Sequence, residues 1–200
     1  MKNNEANLYL NLSILRDSAD QVLDTIKAWT NDDKQVATFK NLVIAVLGAL
    51  SSGKKLIFFG NGGSAAEASH MAAEFIGKCE KDIGPHAAIS LNDSNVCLTA
   101  ISNDWNFQDV FSRQITAIGH SGDLAIGLST SGNSENVTKG LEAAKMIGIQ
   151  TSLWTSSKME KNLKYVDHLI QVPATRTPRI QEVHLFIGHL LCEYVEKYIN

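Results

Sequence analysis

Cysteine is scarce in this 200-residue chain: Cys79, Cys97 and Cys192 are widely spaced, odd in number and form no C-x-x-C pair. That excludes a disulfide frame and a cysteine zinc site, and it predicts free thiols in a reducing cytoplasm. Long apolar runs are missing too. The longest, Leu42–Leu50, has nine residues, where a bilayer-spanning helix needs about 18. The start, Met1-Lys2-Asn3-Asn4-Glu5, leads into leucines broken by Asn11 and Asp17, so no signal peptide and no membrane association are expected. Neither charge dominates, since 18 Lys and Arg against 21 Asp and Glu leave −3. Without a Lys/Arg stripe there is no electrostatic footprint for a nucleic-acid backbone, which excludes nucleic acid as the primary partner. What is present, 44% hydrophobic and 20% charged residues, is ordinary globular composition, enough for one domain with a sizeable core.

The first fifty residues read as two helices. From Ala6 to about Trp29, Leu8, Leu12, Leu15, Ala19, Val22, Leu23 and Ile26 recur at three- and four-residue steps. Thr30-Asn31-Asp32-Asp33 breaks the pattern and offers an N-cap for a second helix, which Gly53 ends in a left-handed C′ position. Five short apolar runs follow, at 55–59, 87–91, 123–128, 149–154 and 168–172. Helical stretches at 64–77, 96–102, 107–118 and 134–148 separate them, and a last helix spans about 179–198. Short apolar strands alternating with helices predict an α/β three-layer sandwich around a five-stranded parallel sheet. The helical pair, residues 1–53, would precede the sheet core and C-terminal helix, residues 54–200, in one domain.

Two strand-to-helix loops carry the chemistry of anion binding. Gly60-Asn61-Gly62-Gly63-Ser64 lets backbone N–H groups approach an anion at a helix N-terminus. Ser129-Thr130-Ser131-Gly132-Asn133-Ser134 supplies four hydroxyls and no Lys, which excludes a Walker A loop. Hydroxyls and amides suit a phosphate monoester on a small molecule. Each loop alone is also what a plain βα turn or a Ser-capped helix start would use. Together they gain weight, because ligands of open parallel sheets sit where the winding reverses.

His70 and Glu74 are four residues apart on the helix after the first loop, hence on one face, at a spacing that serves a solvated pair, a base, or metal ligation. The last helix carries Gln181, Glu182, His184 and His189 among aliphatic residues. A core histidine and an acid/base are both compatible with His189, and spacing leaves the two open.

Taken in order, Gly60–Ser64, His70-Met71-Ala72-Ala73-Glu74-Phe75, Ser102-Asn103-Asp104, Ser129–Ser134 and Arg179-Ile180-Gln181-Glu182-Val183-His184 resemble the phosphoheptose isomerase family of sugar isomerase (SIS) domains, over nearly the whole chain. The resemblance implies a flavodoxin-like fold and isomerisation of sedoheptulose 7-phosphate to glycero-manno-heptose 7-phosphate, for bacterial heptose and lipopolysaccharide synthesis. It implies that Asn61, Gly62, Gly63, Ser64, Ser129, Thr130, Ser131 and Ser134 hold the substrate, chiefly its phosphate, with Asn103, Asp104, Glu74 and Gln181 on the sugar. It further implies Zn2+ on His70, Glu74, Gln181 and His189, with Glu74 as base and His189 as acid. Lys78 stands where some members carry Arg, and Pro178 where some carry Asp.

A non-catalytic SIS relative that binds the replication initiator is the alternative; the pattern implies that it lacks one of the groups matching Glu74 and His189, and both are here. A sugar-phosphate-sensing regulator would usually add a DNA-binding module, and no basic helix-turn-helix segment remains. Gln181 and His189 lie eight residues apart, about 12 Å of helix rise, so a shared metal is easier if one comes from a neighbouring subunit. The apolar stripe of the first helix and the resemblance both point to a homotetramer.

Overall fold

The short apolar runs become strands, whereas the nine-residue run Leu42–Leu50, closed by serine and glycine, lies inside a helix. The computed structural model describes residues 13–157 and 163–199. In chain order it has α1 (Ser13–Thr30), α2 (Asp33–Ser51), β1 (Leu56–Gly60), α3 (Gly63–Ile76), β2 (Ala88–Ser90), α4 (Asn95–Asp104), a 3-10 turn (Phe107–Asp109) running into α5 (Val110–Ile118), β3 (Leu124–Leu128), α6 (Glu135–Met146), β4 (Gln150–Ser156), β5 (His168–Val172) and α7 (Thr177–Tyr198). The stretch expected as helix from Ala6 to residue 12 lies outside the described residues. Asp32 caps α2, its carboxylate accepting from the N–H groups of Lys34 and Gln35 at 2.9 and 3.1 Å. Gly53 takes the expected left-handed conformation, φ 68°. Ser94 caps α4, so that helix starts earlier than its apolar residues suggest.

The strands form one parallel sheet in the order β2-β1-β3-β4-β5. Successive residues of β1 serve opposite faces. Leu56 and Phe58 join a core with Leu42, Val46, Met71, Phe75, Ile187 and Leu191 from α2, α3 and α7. Ile57 and Phe59 join a second core with Phe111, Ile115, Val137 and Leu141 from α5 and α6. β1 and β3, buried on both faces, are apolar throughout, which is why alternation is absent from their sequence, whereas the equally buried β4 carries Thr151, Ser152, Thr155 and Ser156. Truncating Phe58, fully buried at 0% exposure, to Ala would cost about 3–5 kcal/mol. α1 lies against α7: the Arg179 guanidinium donates to the Ser18 carbonyl at 2.5 Å, and Arg176 to Gln21 at 2.7 Å. Among the described residues no helix is long and apolar enough to cross a membrane.

Candidate active site

In this strand order the winding reverses between β1 and β3, so the loops after those strands face one crevice at the carboxyl end of the sheet. A Cβ at Gly60 would lie 2.8 Å from the Ser64 carbonyl oxygen and 2.9 Å from that of Leu128, so the two loops close up only around glycine. Gly62, at φ 58° and ψ −122°, adopts a backbone that side chains disfavour, and as N-cap it gives α3 no side-chain cap. α6 is uncapped for another reason. Its N-cap residue, Ser134, accepts a hydrogen bond from the Ser129 hydroxyl at 2.9 Å and caps none of the first α6 amides, of which the Val137 N–H donates to the Asn136 side-chain oxygen at 3.0 Å. Two positive helix ends thus open on the crevice, with Thr130 half-buried and Ser131 exposed beside them.

Asn136 and Asn92, which the sequence did not single out, hold these loops together with Asn61. Asn61 and Asn136 exchange a reciprocal pair of amide hydrogen bonds, 2.8 and 2.9 Å, across the switch point. Asn92 does the same to the Gly60 backbone at 3.1 and 2.9 Å. The Asn61 side chain is therefore engaged with Asn136. Asn136 stands two residues beyond Ser134, but its partner is 75 residues away, and no local pattern encodes that contact.

α3 and α7 run side by side in the same direction. A Cβ at Gly63 would collide with the Gln181 amide, and one at Gly188 with the Met71 sulfur. Further along this seam the His70 Nε2 lies 3.0 Å from the His189 Nε2 and 3.4 Å from the Glu74 Oε1. All three donor atoms fall within 4.8 Å of one another. A hydrogen bond between facing imidazole nitrogens needs a proton on one and a lone pair on the other, and a cation could replace that proton. Tetrahedral zinc with bonds of about 2.0–2.1 Å sets its donors about 3.3 Å apart. The observed 3.0 and 3.4 Å fit that spacing.

One chain thus brings together three of the four groups expected to bind metal. Gln181 lies instead against Gly63, at the start of α3. Asn103 and Asp104 stand exposed at the end of α4, where the Asn103 amide donates to Asp104 at 2.8 Å. The Glu182 carboxylate pairs with Arg179 at 2.7 Å. His184 is the core histidine of α7. It is fully buried edge-on to Trp154, and burial pulls it down to about 4 despite the Thr155 carbonyl beside it. Glu67, one turn before His70, is a carboxyl the sequence reading passed over. Burial pushes it up to about 7, partly offset by the Ser64 hydroxyl, and one of its oxygens is buried without a hydrogen-bond partner.

Comparison with known proteins agrees with this geometry. The family model described as SIS domain matches residues 19–156. The phosphoheptose isomerase of Aquifex aeolicus is 41% identical over 93% of this chain and 94% of its own length. That of Thermodesulfovibrio yellowstonii is 44% identical over 82% of this chain and 81% of its own. The solved phosphoheptose isomerase of Neisseria gonorrhoeae superposes with a TM-score of 0.80 at 36% identity, covering 92% of this chain and 99% of that one.

Proposed function

The chain belongs to the phosphoheptose isomerase family of SIS-domain proteins, and from that premise we propose that it interconverts sedoheptulose 7-phosphate and D-glycero-D-manno-heptose 7-phosphate, supplying bacterial heptose synthesis in the cytoplasm. The observation that carries the reading is the His70–Glu74–His189 cluster on the seam that starts at the uncapped α3 end. The initiator-binding alternative is not favoured, because the relatives bear isomerase names and this chain keeps both Glu74 and His189.

The substrate phosphate is held by the first amides of α3 and α6 and by the hydroxyls of Ser129, Thr130, Ser131 and Ser134, with Ser64 behind them. Backbone N–H groups and two helix dipoles stabilise the dianion without a lysine. Asn61, Gly62 and Gly63 shape that cradle, while Gln181, Asn103 and Asp104 contact the sugar. With the phosphate anchored, Glu74 takes a proton from C1 of the open-chain ketose and returns it to C2. The electron pair left at C1 forms the enediolate, and His189 carries the O1 proton to O2. His70 holds the other two groups in line. A zinc ion bound by His70, Glu74 and His189, with Gln181 as a further donor, would supply Lewis-acid polarisation of the substrate carbonyl.

The working unit is a homotetramer of one-domain subunits, near four times 21.8 kDa, in which residues 1–53 form the oligomerisation helices. Support comes from α1, where Ile14, Leu15 and Leu23 are 65, 69 and 53% exposed in the lone chain. Purified protein incubated with sedoheptulose 7-phosphate should give the aldose phosphate by NMR, and no aldose signal would refute the activity. Light scattering on the active sample, and on a chain lacking residues 1–30, tests the assembly. The deletion should abolish both tetramer and turnover, and an active monomer would overturn that part.

A further inference from the structure

The start of α7 is gripped by two arginines that the isomerase reading leaves without a task. The Arg179 guanidinium reaches two helices at once. One terminal nitrogen donates to the Ser18 carbonyl of α1 at 2.5 Å, and the other to the Glu182 carboxylate at 2.7 Å. Arg176, the N-cap residue of α7, donates to the Gln21 side chain at 2.7 Å. Ser18 and Gln21 stand three apart, on one face of α1. Between residues 13 and 21 only Ser18 is half-buried, and Ile14 and Leu15 are exposed. The first half of α1 thus adds no apolar side chain to the core, and the arginine hydrogen bonds fasten it to α7.

Stability alone is a poor reason for Arg179. Its side chain is only 12% exposed, and its Nε–H is buried without an acceptor. A desolvated guanidinium with an unpaired donor is costly, and an apolar side chain would pack there without that cost. What arginine supplies instead is a planar fork that holds two acceptors in fixed directions. Gln181 lies two residues further on, about 200° round the helix, and its amide is set against Gly63 at the start of α3. One turn of α7 is therefore tied to α1 on one side and seated against the α3 loop on the other.

From this arrangement we infer that Arg179 is a positioning residue for the isomerase reaction: it fixes the first turn of α7 on α1 and so sets where the Gln181 amide stands in the site. The inference rests on the role proposed above for Gln181 on the sugar. It makes α1 a support of the site within its own chain, in addition to its part in assembly. Ser18 contributes only a backbone carbonyl, so the specificity of the brace lies in the arginine.

The test uses full-length Arg179→Lys, which keeps the charge but offers one compact ammonium in place of the fork. Its kcat per folded molecule should fall about tenfold, since small displacements of a group at the reacting centre cost one to two orders of magnitude. KM should stay within about twofold, because the phosphate cradle belongs to α3 and α6. In a Gln181→Ala background the same change should cost less than about twofold, as the amide to be placed is gone. Equal losses in both backgrounds would mean a general packing defect and overturn the inference. Arg179→Met fills the space without donors and strands neither acceptor, since Glu182 is 41% exposed and the Ser18 carbonyl lies within a helix. Its denaturation midpoint should match or exceed the parent's while kcat falls. A lowered midpoint with normal turnover per folded molecule would make Arg179 a stabiliser only. Hydrogen exchange reads the brace without activity: amides 180–183 should exchange faster in Arg179→Lys, and amides 190–195 at the parent's rate. Unchanged exchange at 180–183 would overturn the brace. A parent that yields no aldose phosphate would defeat the isomerase reading and with it the coupling to Gln181, whereas the exchange result tests the brace by itself.

Discussion

The two ends of the parallel sheet treat polar groups in opposite ways. At the amino ends of the strands, acids are saturated. Asp123 accepts from the Lys55 N–H at 3.0 Å, the His120 N–H at 2.8 Å and the Lys55 ammonium at 2.5 Å, and it is 2% exposed. Asp167 does the same for β4 and β5, accepting from the Thr151 N–H at 3.0 Å, the Thr151 hydroxyl at 3.1 Å and the Lys145 ammonium. Burial alone would raise both carboxyls, but these donors outweigh it and hold them below the ordinary range. At the carboxyl ends the accounts stay open: α3 and α6 lack side-chain caps, and Glu67 has a buried carboxyl oxygen without a partner. Saturated groups hold strands in place, and unsaturated ones are available to a ligand.

The largest contrast should come from removing one acid at each end. Glu74→Gln keeps size and folding while deleting the base, so kcat should fall by at least ~10²-fold with little change in denaturation midpoint. Retained turnover would take the base role from Glu74. Asp123→Ala should do the reverse. It strands the Lys55 ammonium and two backbone donors and costs about 3 kcal/mol, the lower end for halving a buried pair, because Lys55 can reach water. Chemical denaturation measures this loss, and turnover per folded molecule should be unchanged. A fall in kcat comparable to that of Glu74→Gln would erase the distinction between the two ends.

Much of the carboxyl end was legible in the sequence, because glycine there has a backbone reason. Gly60 sits where two loops close up, and Gly62 where φ is positive. β1 and β3 were legible as apolar runs for the same kind of reason: both are buried on both faces and apolar throughout. The roles of His184 and His189 were not. Five residues on a helix turn about 140°, so one imidazole meets Trp154 and the other His70. Which face the sheet covers is decided by α3 and β4, far away in sequence. Gln181 and His189 share one ligand set in the family pattern, yet parallel α3 and α7 set the Gln181 amide against Gly63. The Asn61–Asn136 clamp left no trace in either loop alone.

The smallest effect is a change in pH profile, and it separates the two ends by sign. Asp123 and Asp167, with lowered native pKa values, add stability that is complete above their unfolded value of about 3.9 and is lost as pH falls through the native value. Glu67 works oppositely. Burial raises it from 4.5 to about 7, so between those limits the native state holds a proton that the unfolded chain has released, and stability falls as pH rises. His184 covers nearly the same window with the other sign. Burial lowers it from 6.5 to about 4, so the unfolded chain binds the extra proton there and stability rises with pH. The two slopes offset each other, and the parent protein should show a nearly flat denaturation midpoint across that range. Glu67→Gln removes one slope and exposes the other. Its midpoint should climb with pH to about 6.5 and lie above the parent's beyond neutrality. Parallel profiles for parent and variant would mean that Glu67 titrates alike in the folded and unfolded chain, as an ordinary surface acid does, and the unsaturated end of the sheet would lose its buried acid.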